Sequence, residues 1–149
     1  MSNDHDPGDD ADTAADVADA EPATTGVSFP LQGYLGMELS GAEAGTGTAT
    51  LTIGEQHVNP NGVAHGAVLF ALVDTAMGKA TTSVLDDGLY CASVEVSLRF
   101  IRPASTGELI ADASVVKRGR SIVHLDARIH DTDGRLVATS SGTFAVLGG

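Results

Sequence analysis

Apolar and polar residues alternate along most of the chain after residue 90. In the segment 122–131, apolar side chains occupy every second position from Val123 to Ile129, and polar side chains fill the positions between them. A period of two residues is typical of an antiparallel strand with one buried face. Short connectors separate the segments, and Asp133-Gly134 is a strong hairpin signal. The pattern predicts strands at residues 46–53, 90–102, 109–117, 122–131 and 136–147, with the last four following one another as a meander.

Two details of these strands are predicted from the same pattern. Gly142 lies inside the last strand, where a glycine indicates a bend or a close approach of another group to the backbone. The alternation in 90–102 also assigns its side chains to two faces. One face is predicted to carry Val94, Val96, Leu98 and Phe100, and the other Ser93, Glu95, Ser97 and Arg99.

A long apolar segment precedes the meander. From His65 to about Val84 the chain is rich in Ala, Leu, Val and Met and contains no proline, which favours one continuous helix with Gly78 as its weak point. Apolar side chains occur nearly all round this helix, and such a helix is typically buried on every side. The chain therefore predicts an α+β domain in which a curved antiparallel sheet covers one long helix that follows one or two strands.

The first 25 residues differ in composition from the rest of the chain. They carry eight acidic residues, no Lys or Arg, and almost no large apolar side chain. Such a segment cannot bury enough surface to offset the entropy lost on ordering, so residues 1–25 are predicted to be a disordered acidic tail. Residues 26–149 are the predicted folded domain, in which 29–39 forms a short helical turn followed by a strand.

The overall composition disfavours several classes of function. The formal net charge of -12 argues against nucleic acid as a partner, and no apolar run approaches the roughly 20 residues of a membrane span. The N-terminus lacks a basic-then-apolar signal pattern, so we expect a cytoplasmic protein. Cys91 is the single cysteine, which excludes an internal disulfide, and its place in a strand indicates a buried, unreactive thiol. No zinc-ligand spacing occurs, so His124, Asp126 and His130 are interpreted as a strand face that is solvated or part of an interface.

Two features of the segment 57–77 carry candidate chemistry. His65-Gly66-Ala67 opens the predicted helix, where the first backbone N–H groups are unpaired and lie at the positive end of the helix dipole. A glycine there lets a polarised oxygen approach the backbone closely. Asp74 interrupts an otherwise apolar helix, and an unpaired buried carboxylate costs several kcal/mol, on the order given for buried ions. Both features indicate a site rather than a core.

Helix geometry separates these two groups. Gly66 and Asp74 are eight residues apart, which places them about 12 Å apart along the axis and roughly 80° apart around it. One reacting carbonyl cannot contact both groups of a single chain. If both serve one site, the site forms between antiparallel helices of two subunits, and a twofold dimer makes two such sites.

The motif Asn59-x-x-Gly62-x-x-His65-Gly66-Ala67, followed by Asp74-x-Ala76, resembles the hotdog thioesterases of the phenylacetate-degradation (PaaI-like) type. The usual form of that family has Gly where Ala67 stands, a mild departure because the expected N–H donor belongs to the preceding glycine. The resemblance runs from about Phe29 to the C-terminus. It includes Ser93-Val94-Glu95, Arg102-Pro103-Ala104, Lys117-x-Gly119-Arg120 and Val137-Ala138.

The resemblance implies a hotdog fold, a curved antiparallel sheet wrapped around a central helix, and hydrolysis of acyl-CoA thioesters. The Gly66 amide would bind the thioester carbonyl oxygen, and Asp74 of a partner chain would act as general base on water or attack the acyl carbon. Asn59 would orient the water or the carbonyl, His65 would hold the loop and the thioester, and Ser93 would position the water.

The resemblance also implies a coenzyme A site and an assembly. No cofactor is expected, because coenzyme A is part of the substrate. The family often forms dimers of dimers, so the resemblance implies a homotetramer, of which the helix geometry itself supports only the dimer. The segments 100–105 and 117–122 match regions that cradle coenzyme A, and their basic side chains suit phosphate groups. The implied contacts are Arg102, Pro103, Lys117, Arg118, Gly119, Arg120 and Ser121.

Each of these residues also has a purely structural interpretation. Asp74 could be a hydrogen-bonded carboxylate between helices, and His65 could only fix the start of the helix. Asn59 could simply shape the turn before Pro60, and Ser93 could be an ordinary strand residue. The Lys117–Arg120 cluster could be a solvated hairpin.

Two other functions remain open at the level of the sequence. A non-catalytic module that binds or senses acyl-CoA would keep the pocket but would need no acid, so Asp74 argues against it. A hotdog dehydratase or hydratase pairs a carboxylate with a histidine at a different spacing, which this chain does not match. The nature of the acyl group is not determined by the sequence.

Overall fold

The computed structural model of the protein describes residues 28–41 and 43–148. The predicted acidic tail 1–25 lies outside these residues. Within the described ranges, the helices and strands agree closely with the elements predicted from the sequence pattern. They are α1 (Pro30–Leu35), β1 (Met37–Ser40), β2 (Thr46–Thr52), a 3-10 turn (Glu55–His57), α2 (Gly66–Thr82), β3 (Tyr90–Phe100), β4 (Glu108–Arg118), β5 (Ile122–Asp131) and β6 (Leu136–Leu147).

The six strands form one antiparallel sheet in the order β1-β2-β4-β5-β6-β3. The predicted meander is correct for β4, β5 and β6 and wrong for β3, which pairs with β6 at one edge instead of with β4. The reason is the crossover through α2, which carries the chain from β2 across the sheet to its far edge. Alternation along a strand determines which face is buried, but it contains no information about the neighbouring strand.

The core lies between α2 and the inner face of the sheet. Leu72, Val73, Ala76 and Met77 of α2 are fully buried, together with the inward side chains of β4, β5 and β6. Gly47 on β2 lets the helix approach, because a Cβ there would collide with the backbone oxygen of Ala76. A long central helix wrapped by a sheet is therefore confirmed.

The prediction that α2 is buried all round is wrong for the single chain. Phe70 is 42% exposed, and Ala67 is also exposed, while Asp74 and Gly78 on the same side are only half-buried. These positions recur at intervals of three and four residues and so form one stripe along the helix. One sheet can cover only the opposite side of a helix, which leaves this α2 stripe (Ala67, Phe70, Asp74 and Gly78) accessible.

A β-bulge corrects the predicted faces of β3. The pairing with β6 shifts between Ser93 and Glu95, so Val94 is left over and is 62% exposed. An extra residue reverses the alternation. Ser93 therefore points to the helix side, opposite the buried Phe144, whereas Glu95 lines the outer face beside Thr143. Val96, Leu98 and Phe100 keep the predicted common face toward the helix. Val96 and Leu98 are half-buried there, whereas Phe100 is 58% exposed at the end of the strand.

Two further features were predicted correctly. A Cβ at Gly142 would lie 2.5 Å from the sulfur of Met77, so this glycine does mark a close approach inside a strand. On β5, the side chains from Val123 to Ile129 alternate between buried and exposed as expected. Neither helix of the described residues has the length and apolar character that crossing a bilayer would need.

Candidate active site

The start of α2 presents one free backbone donor. His65 is the N-cap residue: its Nδ1 accepts the N–H of Ala67 at 3.0 Å, and its backbone oxygen accepts the N–H of Val68 at 2.9 Å. Because Nδ1 is an acceptor, the neutral ring carries its proton on Nε2. The N–H of Gly66 has no acceptor among residues 28–41 and 43–148. The helix therefore opens with a single unpaired amide at the positive end of its dipole.

The loop before α2 holds this amide in place. The side-chain oxygen of Asn59 accepts the N–H of Asn61 at 2.9 Å, and its backbone N–H donates to the oxygen of Val63 at 2.8 Å. Gly62 has φ +75°, a conformation that favours glycine. Asn59 thus shapes the turn, and its side-chain amide nitrogen has no acceptor within residues 28–41 and 43–148.

Gly66 opens onto a cavity of about 440 Å³. The cavity has mainly apolar walls with a few polar groups, which is the usual character of a small-molecule site. The ring of Phe100 contacts Gly66 so closely that a Cβ at position 66 would lie 3.0 Å from its Cζ. The cavity thus brings together four of the predicted site residues, Asn59, Gly66, Arg102 and Pro103, beside Val63, Ala64, Leu69, Phe100, Ile101 and Ala104.

Asp74 and Ser93 form a second group, which we call the carboxylate pair. The hydroxyl of Ser93 donates to Oδ1 of Asp74 at 2.6 Å, a short, charge-assisted hydrogen bond. The bulge at Val94 makes this contact possible, because it turns Ser93 toward the helix. The carboxylate is half-buried and belongs to the accessible α2 stripe. It can therefore be reached by a molecule outside the chain.

Cys91 lies close to the carboxylate pair. Burial, and to a smaller extent the negative charge of Asp74, raise the pKa of its thiol from 9.0 to about 11. The thiol therefore stays protonated at neutral pH, in agreement with the unreactive cysteine expected from the sequence.

A third group of predicted residues lies at the opposite end of α2. Arg118 forms an ion pair at 3.4 Å with Asp86, which follows the end of the helix. Gly119 closes a tight turn by donating to the oxygen of Ile122 at 2.7 Å. We call the five residues of this turn the basic hairpin: Lys117, Arg118, Gly119, Arg120 and Ser121. Since the 17 residues of α2 span about 25 Å, the hairpin is remote from the Gly66 cavity of the same chain.

The polar outer face of the sheet shows no sign of a metal site. His124 lies 3.4 Å from the hydroxyl of Thr143, and His130 lies 3.6 Å from Asp112. In the part of the chain that the structure describes, no group of three or more metal-binding side chains comes together.

The roles of two neighbours of the site were not predicted. Phe100 was predicted as a strand residue and as the start of the segment 100–105, but not as the ring that covers Gly66, and His57 was given no role. The ring of His57 is 2% exposed and bonded at both nitrogens. Alanine would favour the helix more than the glycine that occupies position 66. The glycine was therefore a weak signal that another side chain packs closely against this position. No sequence signal indicated that His57 is buried.

Comparison with known proteins agrees with this architecture. Residues 61–138, about half of the chain, match the family model of the thioesterase superfamily. An acyl-coenzyme A thioesterase, PaaI of Escherichia coli, is 30% identical over 116 residues, which cover 77% of this chain and 81% of that protein.

Solved structures give the same result. The Escherichia coli PaaI structure superposes with a TM-score of 0.74 at 28% identity, over 80% of this chain and 85% of that chain. A thioesterase from Haemophilus influenzae superposes with a TM-score of 0.76 at 26% identity, over 79% of this chain and 82% of that chain. The chain thus belongs to the thioesterase superfamily and is a PaaI-like thioesterase with the hotdog fold.

Proposed function

We propose that the protein hydrolyses acyl-CoA thioesters at sites that two copies of the chain build together. The observation that carries the proposal is the unpaired N–H of Gly66 at the mouth of an apolar cavity. A donor fixed at a helix start stabilises the negative oxygen that develops when a thioester carbonyl is attacked. The name of the Escherichia coli relative supports coenzyme A as the thiol part of the substrate.

The separation of the predicted groups supports a shared site. Gly66 and Asp74 lie on one continuous helix, about 12 Å apart along its axis, so they cannot meet around one carbonyl in one chain. Two antiparallel copies of α2 bring position 66 of one chain opposite position 74 of the other if the twofold axis passes position 70. Phe70 occupies that position and is 42% exposed on the α2 stripe.

The same antiparallel arrangement relates the partner's basic hairpin to coenzyme A bound at the Gly66 cavity. Thr82, the last residue of α2, lies about 12 Å beyond Asp74 along the axis. In the antiparallel dimer, the partner's hairpin therefore falls at least that far from the Gly66 amide. The pantetheine arm of coenzyme A can span such a distance to its phosphates. Arg102 at the cavity and Lys117, Arg118 and Arg120 on the hairpin are the proposed phosphate ligands, with Pro103, Gly119 and Ser121 shaping the two segments.

The proposed reaction begins at the acyl carbon. The carbonyl oxygen accepts the Gly66 N–H, and Asp74 of the other chain either removes a proton from the attacking water or attacks the carbon itself. Ser93 occupies Oδ1 of Asp74, which leaves Oδ2 for this step. The carbon–sulfur bond then breaks, and the coenzyme A thiolate leaves and takes up a proton. In the first route the free acid departs directly. In the second, water hydrolyses the mixed anhydride between Asp74 and the acyl group, which releases the acid and restores the carboxylate. The Nε2–H of His65 and the amide of Asn59 are the proposed donors that orient the thioester.

A panel of acyl-CoA substrates tests the proposal, with release of the thiol followed by a chromogenic reagent. We expect turnover by the wild type and a loss of about 10²- to 10⁴-fold in Asp74→Asn, which keeps the size of the side chain but removes the base. Asp112→Asn on the outer sheet face is the matched control and should keep full activity. An Asp74→Asn protein that folds and remains fully active on every good substrate would refute the role of Asp74.

The same panel separates an enzyme from a binding module. Acyl-CoA binding without thiol release by the wild type, across short, medium and aromatic acyl groups, would favour a sensor. The free carboxylate oxygen beside the helix stripe is the feature that favours catalysis.

A further inference from the structure

His57 is the most highly connected buried polar residue near the site. Its Nδ1 accepts the N–H of Gly54 at 2.8 Å, and its Nε2 lies 2.9 Å from the backbone oxygen of Leu35. Its backbone N–H donates to the oxygen of Gly54 at 3.0 Å, and its own oxygen accepts the N–H of His65 at 2.8 Å. One residue thus connects the end of α1, the 3-10 turn and the N-cap of α2.

These contacts require one form of the imidazole. The oxygen of Leu35 can only accept, so Nε2 carries the proton, and Nδ1 must be unprotonated to accept from Gly54. No solvent reaches the ring to replace a lost partner, since the residue is 2% exposed. Any side chain that lacks either function leaves a buried backbone group unpaired, which is unfavourable.

The position of the Gly66 amide depends on this residue. His65 precedes Gly66 directly, and its N–H is held by the backbone oxygen of His57. The side chain of His65 is used in capping Ala67, so it does not itself anchor the loop to the rest of the fold. A displacement of His57 therefore moves the residue that fixes the direction of the Gly66 N–H.

We propose that His57 is a positioning residue that aims the Gly66 amide at the thioester carbonyl. This inference rests on the proposed function. His57 does not line the cavity and acts only through its hydrogen bonds. Since a misplacement of about 1 Å can lower a rate by 100-fold, the contribution of His57 should appear in kcat rather than in stability alone.

Three variants separate the contacts of the ring. His57→Asn keeps an acceptor near Nδ1, His57→Gln keeps a donor near Nε2, and His57→Leu keeps neither. The matched control is Thr81→Val, because Thr81 is also fully buried and its hydroxyl donates to the oxygen of Met77 at 2.9 Å. Thr81 lies at the other end of α2, far from the Gly66 amide.

We expect kcat to fall by about 10- to 100-fold in His57→Leu, with KM little changed and partial recovery in His57→Asn or His57→Gln. Thr81→Val should lose thermal stability but keep kcat. In two-dimensional NMR spectra, the Gly66 amide cross-peak should shift in the His57 variants and stay in place in Thr81→Val.

Unchanged kcat in all three folded His57 variants would overturn the inference, as would an equal loss in Thr81→Val. If the wild type cleaves no thioester, the proposed function fails, while the Gly66 cross-peak still decides whether His57 positions the amide. A cross-peak that does not move in any His57 variant would refute the positioning role.

Discussion

Gly66→Pro removes the proposed oxyanion donor and is compatible with the backbone on both sides of position 66. Position 66 is the first residue of α2, where proline is well tolerated because its missing N–H would have no helical partner. The preceding residue also fits, since His65 has φ -64° and ψ 139°, in the region that a following proline requires. The variant therefore deletes one hydrogen-bond donor while preserving the helix.

The new side chain has one steric consequence, for which a control exists. A Cβ at position 66 lies 3.0 Å from Cζ and 3.3 Å from Cε1 of Phe100, so the ring must yield by a few tenths of an ångström. Phe100 is 58% exposed at the end of β3, which leaves it room to move. Gly66→Ala introduces the same contact but keeps the N–H. Comparing proline with alanine therefore cancels the Cβ contact and leaves the loss of the donor, together with the proline Cδ that takes the place of its hydrogen.

Removing one oxyanion donor typically costs about 10² to 10³ in kcat, or about 2.7–4 kcal/mol. We expect this ratio between Gly66→Ala and Gly66→Pro, with thermal stability equal or slightly higher in the proline variant because its unfolded chain is less flexible. Steady-state kinetics on a good acyl-CoA and thermal melts measure both quantities. Similar kcat values for the two folded variants would show that the Gly66 amide does not bind the oxyanion.

Three other predictions concern the dimer, the carboxylate pair and the thiol. Phe70→Cys in a Cys91→Ala background should give a covalent dimer on mild oxidation, because position 70 lies at the proposed twofold axis. A non-reducing gel detects this dimer, and the exposed control Tyr34→Cys should not form it. Phe70→Cys protein that stays monomeric on the gel would contradict the antiparallel arrangement. Ser93→Ala should lower kcat roughly tenfold, since a hydrogen bond to a charged group is worth about 1.5 kcal/mol or more, whereas an unchanged kcat would make Ser93 an ordinary strand residue. The raised pKa of Cys91 means that the unfolded thiol ionises near pH 9.0 and the folded thiol near pH 11. Stability should therefore fall as the pH rises through this window. As the pH rises from 9.0 to 11, the melting temperature should fall less in Cys91→Ala than in the wild type. Parallel curves of melting temperature against pH for the two proteins would show that the thiol does not contribute.

The sequence predicted those parts of the fold that depend on local periodicity. The bounds of β5 and β6 were predicted correctly, and α2 was placed to within two residues, because alternation and helix composition act over short stretches. The edge position of β3 could not be predicted, since strand order depends on where the crossover through α2 ends.

The candidate site was predicted unevenly, also for physical reasons. The separation of Gly66 from Asp74 follows from the rise of a helix, so the sequence was sufficient for it. The contact between Ser93 and Asp74 depends on one extra residue in β3. The bulge could not be read from the sequence, because Val94 fits the alternation of a regular strand with Val96 and Leu98. The accessible α2 stripe was missed because an apolar composition does not tell whether a helix is covered on every side by its own chain or left open on one side.

The bulge in β3 also affects how relatives of different length should be compared. The extra residue shifts the alternation of side chains by one position. Cys91 and Ser93 before the bulge and Val96 and Leu98 after it therefore all face the helix. In a strand of regular alternation, these two pairs would lie on opposite faces. A homologue lacking residue 94 would have a straight ladder, because positions 93 and 95 already pair with the consecutive residues Phe144 and Thr143. A serine aligned with Ser93 would then still face the helix. A gap at position 94 in an alignment would accordingly mark relatives that can form the same contact between serine and carboxylate without a bulge.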